Sequence, residues 1–246
     1  MQLDPVSLLF GSCAAVLAGF SKTGLPGAGI PTVVLMAAAF PGHTELSVGC
    51  LLVVLLVGDV FAVTRFGRHA QWQRLLTLFP YVVAGAVPAY FVLGWLDDRQ
   101  FRPLLGVLVL ALLGLEAARE NIGYTTLVNR PCFTRAMGFL AGFGSTVANA
   151  GGPMMTIYLL GKQVDKEQFI GTCAWFFFLL NLSKVVPFLF QGILTSETIC
   201  FGLAMSPLAI AGALAGARLL PRVSQRVFNA LVSLLAAVAA VWLIVS

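Results

Sequence analysis

Apolar residues come in helix-length runs along this chain, separated by short polar breaks. The runs cover 6–21, 30–40, 46–65, 75–95 and 101–118, then 136–148, 153–160, 167–190, 198–219 and 223–245. Each predicts an α-helix. Between the two sets lies a polar stretch, 119–135, with Asn121, Gly123, Asn129 and Pro131, turn residues foreign to a membrane span. The same five-part plan therefore occurs twice. The expected organisation is a membrane repeat over 1–118, a cytoplasmic connection over 119–135 and a second membrane repeat over 136–246.

Short matches in constant order support the doubling. Ala18, Gly19 and Phe20, followed by a glycine-rich stretch and Pro31, correspond to Ala141, Gly142 and Phe143, followed by Gly151, Gly152 and Pro153. Downstream, Asp59 falls where Asn181 falls, Pro80 and Gly85 where Pro207 and Gly212 fall, and Arg99 where Arg226 falls. Charge then orients the halves, because Lys and Arg of short loops stay on the cytoplasmic side. The loop with Arg65, Arg68 and Arg74 is basic, whereas its counterpart, 191–197, has no basic residue. The next pair reverses: Asp97, Asp98, Arg99 and Arg102 in the first half stand against Arg218, Arg222 and Arg226 in the second. Corresponding loops thus face opposite sides, as inverted repeats require. Both termini are expected outside. Eleven of the fifteen basic residues then lie in cytoplasmic loops, Arg99 and Arg102 lie outside, and Lys22 and Lys184 are embedded.

Composition excludes a soluble globule. The chain is 59% hydrophobic and 10% charged, with a mean hydropathy of +0.94, where soluble domains carry roughly 25% charge. The net charge of +5 comes from residues set singly in short loops, a pattern that encodes topology and not nucleic-acid binding. The first run lacks a basic leader region, so no cleaved signal peptide is expected. Five cysteines, Cys13, Cys50, Cys132, Cys173 and Cys200, are scattered without metal-ligand spacing and read as small hydrophobes. His43 and His69 fall in loops on opposite sides. No nucleophile and base, paired carboxylates or zinc spacing is found in the apolar runs, so neither an enzyme nor a bound cofactor or metal is expected.

The chemistry concentrates where the runs are too short. At 1.5 Å per residue, 30–40 reaches about 16 Å and 153–160 about 12 Å, against a hydrocarbon core of about 30 Å. Each is expected to start at mid-depth and to form, with the run before it, a hairpin with a glycine-rich tip near the midplane. One tip spans Ser21, Lys22, Thr23 and on to Gly27 and Gly29; the other spans Ser145, Thr146, Asn149, Gly151 and Gly152. Hydroxyls, an amide, a lysine and the positive end of a helix dipole together favour an anion. Of the embedded ionisable groups, Lys22 reads as a site residue, or as one snorkelling to the surface. Lys184 either binds substrate or pairs with Asp59. Asp59, with Asn181 as its repeat counterpart, either carries a coupling proton or bonds the amides of a broken helix; Glu116 reads as interfacial. The glycine pairs Gly138/Gly142 and Gly212/Gly216 read as close helix packing.

The segment from Gly19 through Ser21, Lys22, Thr23, Gly24 and Pro26 to Gly29 and Pro31, its echo from Ala148 to Pro153, and the doubled ten-segment layout resemble the sulfite exporter TauE/SafE family. The resemblance implies a bacterial or organellar transporter of sulfite, sulfonates or other small organosulfur anions, with the site at Ser21, Thr23, Gly27, Gly29, Asn149, Gly151 and Gly152. The expectation is an all-α polytopic inner-membrane protein of two inverted-topology repeats, each a short Gly-rich hairpin dipping into the membrane plus three spanning helices. It would export a small sulfur-containing anion by alternating access, its partners being that anion, the bilayer and a coupling proton. An anion channel, a transporter of carboxylates and a scaffold subunit without a ligand are the competing readings.

Overall fold

The computed structural model describes residues 5–23, 29–41, 43–95, 130–149, 151–162, 164 and 166–219, with single positions between 103 and 114 and between 227 and 244. The expected fifth helix of each half, 101–118 and 223–245, lies almost wholly outside the described residues, as does 119–129 of the connection.

The described chain is helical. It runs α1 (Pro5–Thr23), α2 (Gly29–Ala38), α3 (Thr44–Phe66), a 3-10 turn (Gly67–His69), α4 (Trp72–Trp95), α5 (Pro131–Ala148), α6 (Gly152–Gly161), α7 (Lys166–Phe190) and α8 (Ser196–Leu219). Five segments, in α1, α3, α4, α7 and α8, are long and apolar enough to cross a membrane. By contrast, α2 and α6 have 10 residues each, or about 15 Å. α1, at 19 residues, is much longer than α2, so the first pair has unequal arms. α5 starts five residues before its expected position, because Pro131 sits in its first turn behind an extended Arg130. A proline there gives up an N–H that has no helical partner anyway, so it opens a helix instead of marking a turn. The connection ends correspondingly earlier than 135.

Two helix crossings of the same construction hold the body together. A Cβ added at Gly19 would run into the Ala209 carbonyl, and one at Gly212 into the Val16 carbonyl, which brings the backbones of α1 and α8 into contact. Gly142 meets the Val82 carbonyl and Gly85 the Phe139 carbonyl in the same way, joining α5 to α4. Gly138 packs on Tyr81 and Gly216 on Thr23, so both glycine pairs do serve close packing. Between these crossings, α3 and α7 run antiparallel: Trp175 Nε1 donates to the Gly67 carbonyl at 3.2 Å, and Gln71 N donates to Thr172 Oγ1 at 2.9 Å.

The ends of the short helices are also placed by contacts. Phe201 of α8 meets Gly11 near the start of α1 and Phe40 just after α2, with ring centroids 5.1 Å apart. α2 therefore returns toward the end from which α1 sets out. At the opposite end, Arg74 donates to the Lys162 carbonyl just after α6, at 3.3 Å. The basic α3–α4 connection and the α6–α7 loop thus share one end of the molecule. Phe176, Phe188, Leu51, Leu52 and Leu78 are fully buried in the core. Leu76, Val83, Val87 and Phe91 of α4 and Val186, Leu189 and Phe190 of α7 face outward. Such an apolar rim is stable against lipid tails and a liability in water.

Replacing Gly142 with Leu should force α4 and α5 apart and lower stability by about 3 kcal/mol, at the upper end of overpacking costs. Gly114→Ala, with nothing among the described residues within 4 Å of its added Cβ, should cause no loss of stability. Thermal unfolding of both purified variants in detergent checks this; equal melting temperatures would remove the crossing as a determinant of the fold.

Candidate functional site

α1 stops at Thr23 before α2 begins at Gly29, and α5 stops at Ala148 before α6 begins at Gly152. Both breaks face one cavity of about 50 Å³. Since one water needs roughly 10–15 Å³ on this scale, it holds a few waters or one small anion. The first break contributes Ser21, Lys22, Gly29 and Thr32, and the second Ser145, Asn149 and Gly152. α3 adds Leu51 and Leu55, and α7 adds Cys173, Ala174, Phe177 and Asn181. Gly29 and Gly152 open α2 and α6, so both helix N-termini, with their free amides and partial positive charge, lie at the cavity. Pro31 and Pro153 occupy their first turns, where a missing N–H is tolerated.

The charged groups form two separate clusters. In the first, Lys22 Nζ lies 2.5 Å from Asp59 Oδ1 and 4.6 Å from the Phe177 ring centroid. Asn181 Nδ2 donates to Asp59 Oδ2 at 2.6 Å. That bond fixes the amide orientation, since the reverse would set two oxygens together. Asn181 Oδ1 is then left buried without a hydrogen-bond partner among the described residues. In the second cluster, Lys184 Nζ donates to the Ser145 carbonyl at 2.9 Å, to Ser145 Oγ at 3.1 Å and to Asn149 Oδ1 at 2.6 Å. Its three protons are thereby all used within the protein. Asn149 caps α5 in the left-handed conformation, φ 52° and ψ 27°, which asparagine tolerates better than most residues. Its Nδ2 donates to the Val48 carbonyl at 2.9 Å, tying the second break to α3.

Asp59 and Lys184 are both 0% exposed. Two lysines therefore share the interior with one carboxylate. Charges removed from water at this depth persist only where they are paired and hydrogen-bonded.

The cavity brings together Ser21, Lys22, Gly29, Ser145, Asn149, Gly152 and Asn181 of the residues expected from sequence. Others are placed elsewhere. Thr23 Oγ1 donates to the Ala213 carbonyl of α8 at 2.6 Å. Thr146 is fully buried, its Oγ1 without a partner among the described residues, and Gly151 packs against the Ala141 carbonyl and Ser145. Gly27 lies outside the described residues. Of the two roles open to Lys184, pairing with Asp59 is overturned: Lys22 is the partner, because Asn181 occupies the α7 position facing Asp59. Lys184, three residues on, reaches the end of α5 instead. Among the described residues, Asp59 is met by the side chains of Lys22 and Asn181. Sequence reasoning missed Thr32, Leu51, Leu55, Cys173, Ala174 and Phe177. Helical spacing offered a signal for several. Cys173 and Phe177 stand eight and four residues before Asn181, on one face of α7, and Leu51 and Leu55 follow the same spacing on α3. Cys173 is thus a cavity residue as well as a small hydrophobe. Among the described residues, no group of three or more His, Cys, Asp and Glu side chains is placed to hold a metal ion.

Comparison with protein families matches residues 11–243 to the sulfite exporter TauE/SafE family. The chain belongs to that family. As a TauE/SafE protein it is a multi-pass membrane protein, in a family of transporters for sulfite or related anions and not of enzymes. No curated protein and no solved structure shows a significant match to it.

The Lys22–Asp59 pair makes a definite stability prediction for this TauE/SafE protein. Lys22→Met strands a buried carboxylate and should cost about 3–5 kcal/mol, while Lys22→Met combined with Asp59→Asn should recover most of the loss. A double variant as unstable as the single one, in detergent unfolding, would show that the pair is not what holds the first break.

Proposed function

We propose that the chain is a secondary transporter that exports a small sulfur-containing anion, sulfite or an organosulfonate, across the inner membrane. The observation that carries this reading is that Lys22 and two helix N-termini surround a cavity of anion size. Taking an oxyanion from water is costly unless many donors replace its hydration. Lys22, the Ser145 hydroxyl and the amides at Gly29 and Gly152 are positioned to supply them. Lys22 is the charge that meets the anion, since it lines the cavity. Lys184 acts through Asn149 and Ser145, holding the second break in place. Ser21 lines the cavity with its hydroxyl donated to the Ala18 carbonyl at 2.7 Å, and Asn149 contributes the shape of the tip.

Alternating access between inverted repeats is the mechanism we assign. Its support is the matched pair of crossings, α1 with α8 and α5 with α4, each of which joins a broken helix to a helix of the other half. Each half would enter as a re-entrant hairpin and add three spans, with the basic connections inside and both termini outside. Such architecture, with half-helix ends at the repeat interface, is common among secondary transporters. Asp59 and Asn181 form the coupling pair behind Lys22.

Sulfite or a sulfonate at a hundred times its dissociation constant should stabilise the purified protein by about 2.7 kcal/mol, read as a rise in melting temperature. The fold-preserving variant Lys22→Met with Asp59→Asn should lose that rise. Stabilisation by carboxylates alone would keep the anion site and overturn its sulfur chemistry, and no shift with any anion would favour a scaffold.

A further inference from the structure

We infer that anion binding and proton binding are one linked event at Lys22 and Asp59, so that each anion is carried together with one proton. The inference rests on the anion-site reading above and adds its co-substrate. Its basis is that a single ammonium has two claimants. Lys22 lines the cavity, whereas Asp59 stands behind it, wholly buried, with Lys22 against Oδ1 and Asn181 against Oδ2.

An anion entering the cavity draws the Lys22 ammonium forward and sets a second negative charge near the first. A buried carboxylate cannot stay ionised without its cation. The groups facing Asp59 are Lys22 from α1 and Asn181 from α7, with Lys184 farther along α7. Lys184 cannot replace Lys22, because its protons are committed to Ser145 and Asn149. Asp59 therefore takes up a proton from the bulk solution, where hydronium or a buffer acid gives it up and is left as water or buffer base. The neutral carboxyl then needs an acceptor, and Asn181 offers one: Oδ1 has no hydrogen-bond partner among the described residues. A half-turn of the amide satisfies the new O–H and directs the amide N–H₂ away from Asp59. No covalent bond changes apart from this O–H, and the cluster gains one positive charge as it gains the anion.

The sign follows by reciprocity: if the anion promotes proton uptake, acid strengthens anion binding. With one linked proton, affinity falls by up to about tenfold per pH unit as pH rises through the linked range. A monoanion and its proton cross as a neutral pair, so membrane potential neither drives nor opposes the step.

The test measures protons taken up on binding of sulfite and of methanesulfonate by the purified protein, in weak buffer with a pH indicator. The readout is the difference between the protein and its Asp59→Asn variant, so that titration of sulfite itself cancels. Up to one proton per anion is expected in the native protein and none from the variant, whose affinity for methanesulfonate should no longer depend on pH. If Asp59→Asn does not fold, the native protein with methanesulfonate, whose charge is constant, still gives the proton count. Anion binding with no proton uptake, or with equal uptake in the variant, overturns the linkage and leaves the anion site standing. Binding of neither anion overturns both.

Discussion

A helix that stops inside an apolar body leaves its last carbonyl groups without partners where water is scarce. α1 and α5 both stop in this way, and much of the interior chemistry follows from that constraint. At α5 the answer comes from a neighbouring helix: Lys184 of α7 donates to the Ser145 carbonyl and hydroxyl and to the capping Asn149. At α1 the lysine is in the last turn itself, where the helix dipole favours a cation. Each lysine is then a buried charge in its own right. Lys184 is held by neutral oxygens, and Lys22 is held by Asp59, which in turn is oriented by Asn181. The breaks thus account for the lysines, and the lysine at the cavity accounts for the aspartate.

The breaks meet at one cavity because the long helices bring them there. Glycines at the α1–α8 and α4–α5 crossings let backbones touch, so each broken helix is fixed against a long helix from the other half of the chain. α3 and α7 pass between them, contributing Leu51 and Leu55 from one side and Cys173, Phe177 and Asn181 from the other. The resulting chamber has apolar walls and polar ends. In the proposed function, an anion there would be surrounded by little that can screen its charge, so the helix termini and Lys22 would act on it more strongly than in water.

The two halves do not share their charges equally. At the position of Asp59 the second half has Asn181, and at the position of Lys22 it has Ser145. The first break consequently carries an ion pair and the second a lysine clamped by neutral oxygens. In the proposed transporter, that asymmetry would give one half the role of meeting the anion and the other the role of holding shape. A strictly symmetric pair of breaks would bury twice the charge for the same cavity.

Much of this was legible in the chain itself. Hydrophobic run length determined an all-helical membrane protein with two helices too short to span, because bilayer thickness sets a length that sequence either meets or misses. Glycine, hydroxyl and lysine clustered at the breaks marked the candidate site for a local reason: a tip residue is near the tip in any packing. What only the tertiary structure decided were the partners. That Asp59 takes Lys22 and not Lys184, that Thr23 turns away to Ala213, and that Phe177 and Cys173 wall the cavity all depend on the rotation of helices far apart in sequence. Hydrophobic patterning leaves that rotation open where a helix is apolar all round, as these are, so only packing against the glycine crossings settles which face looks inward.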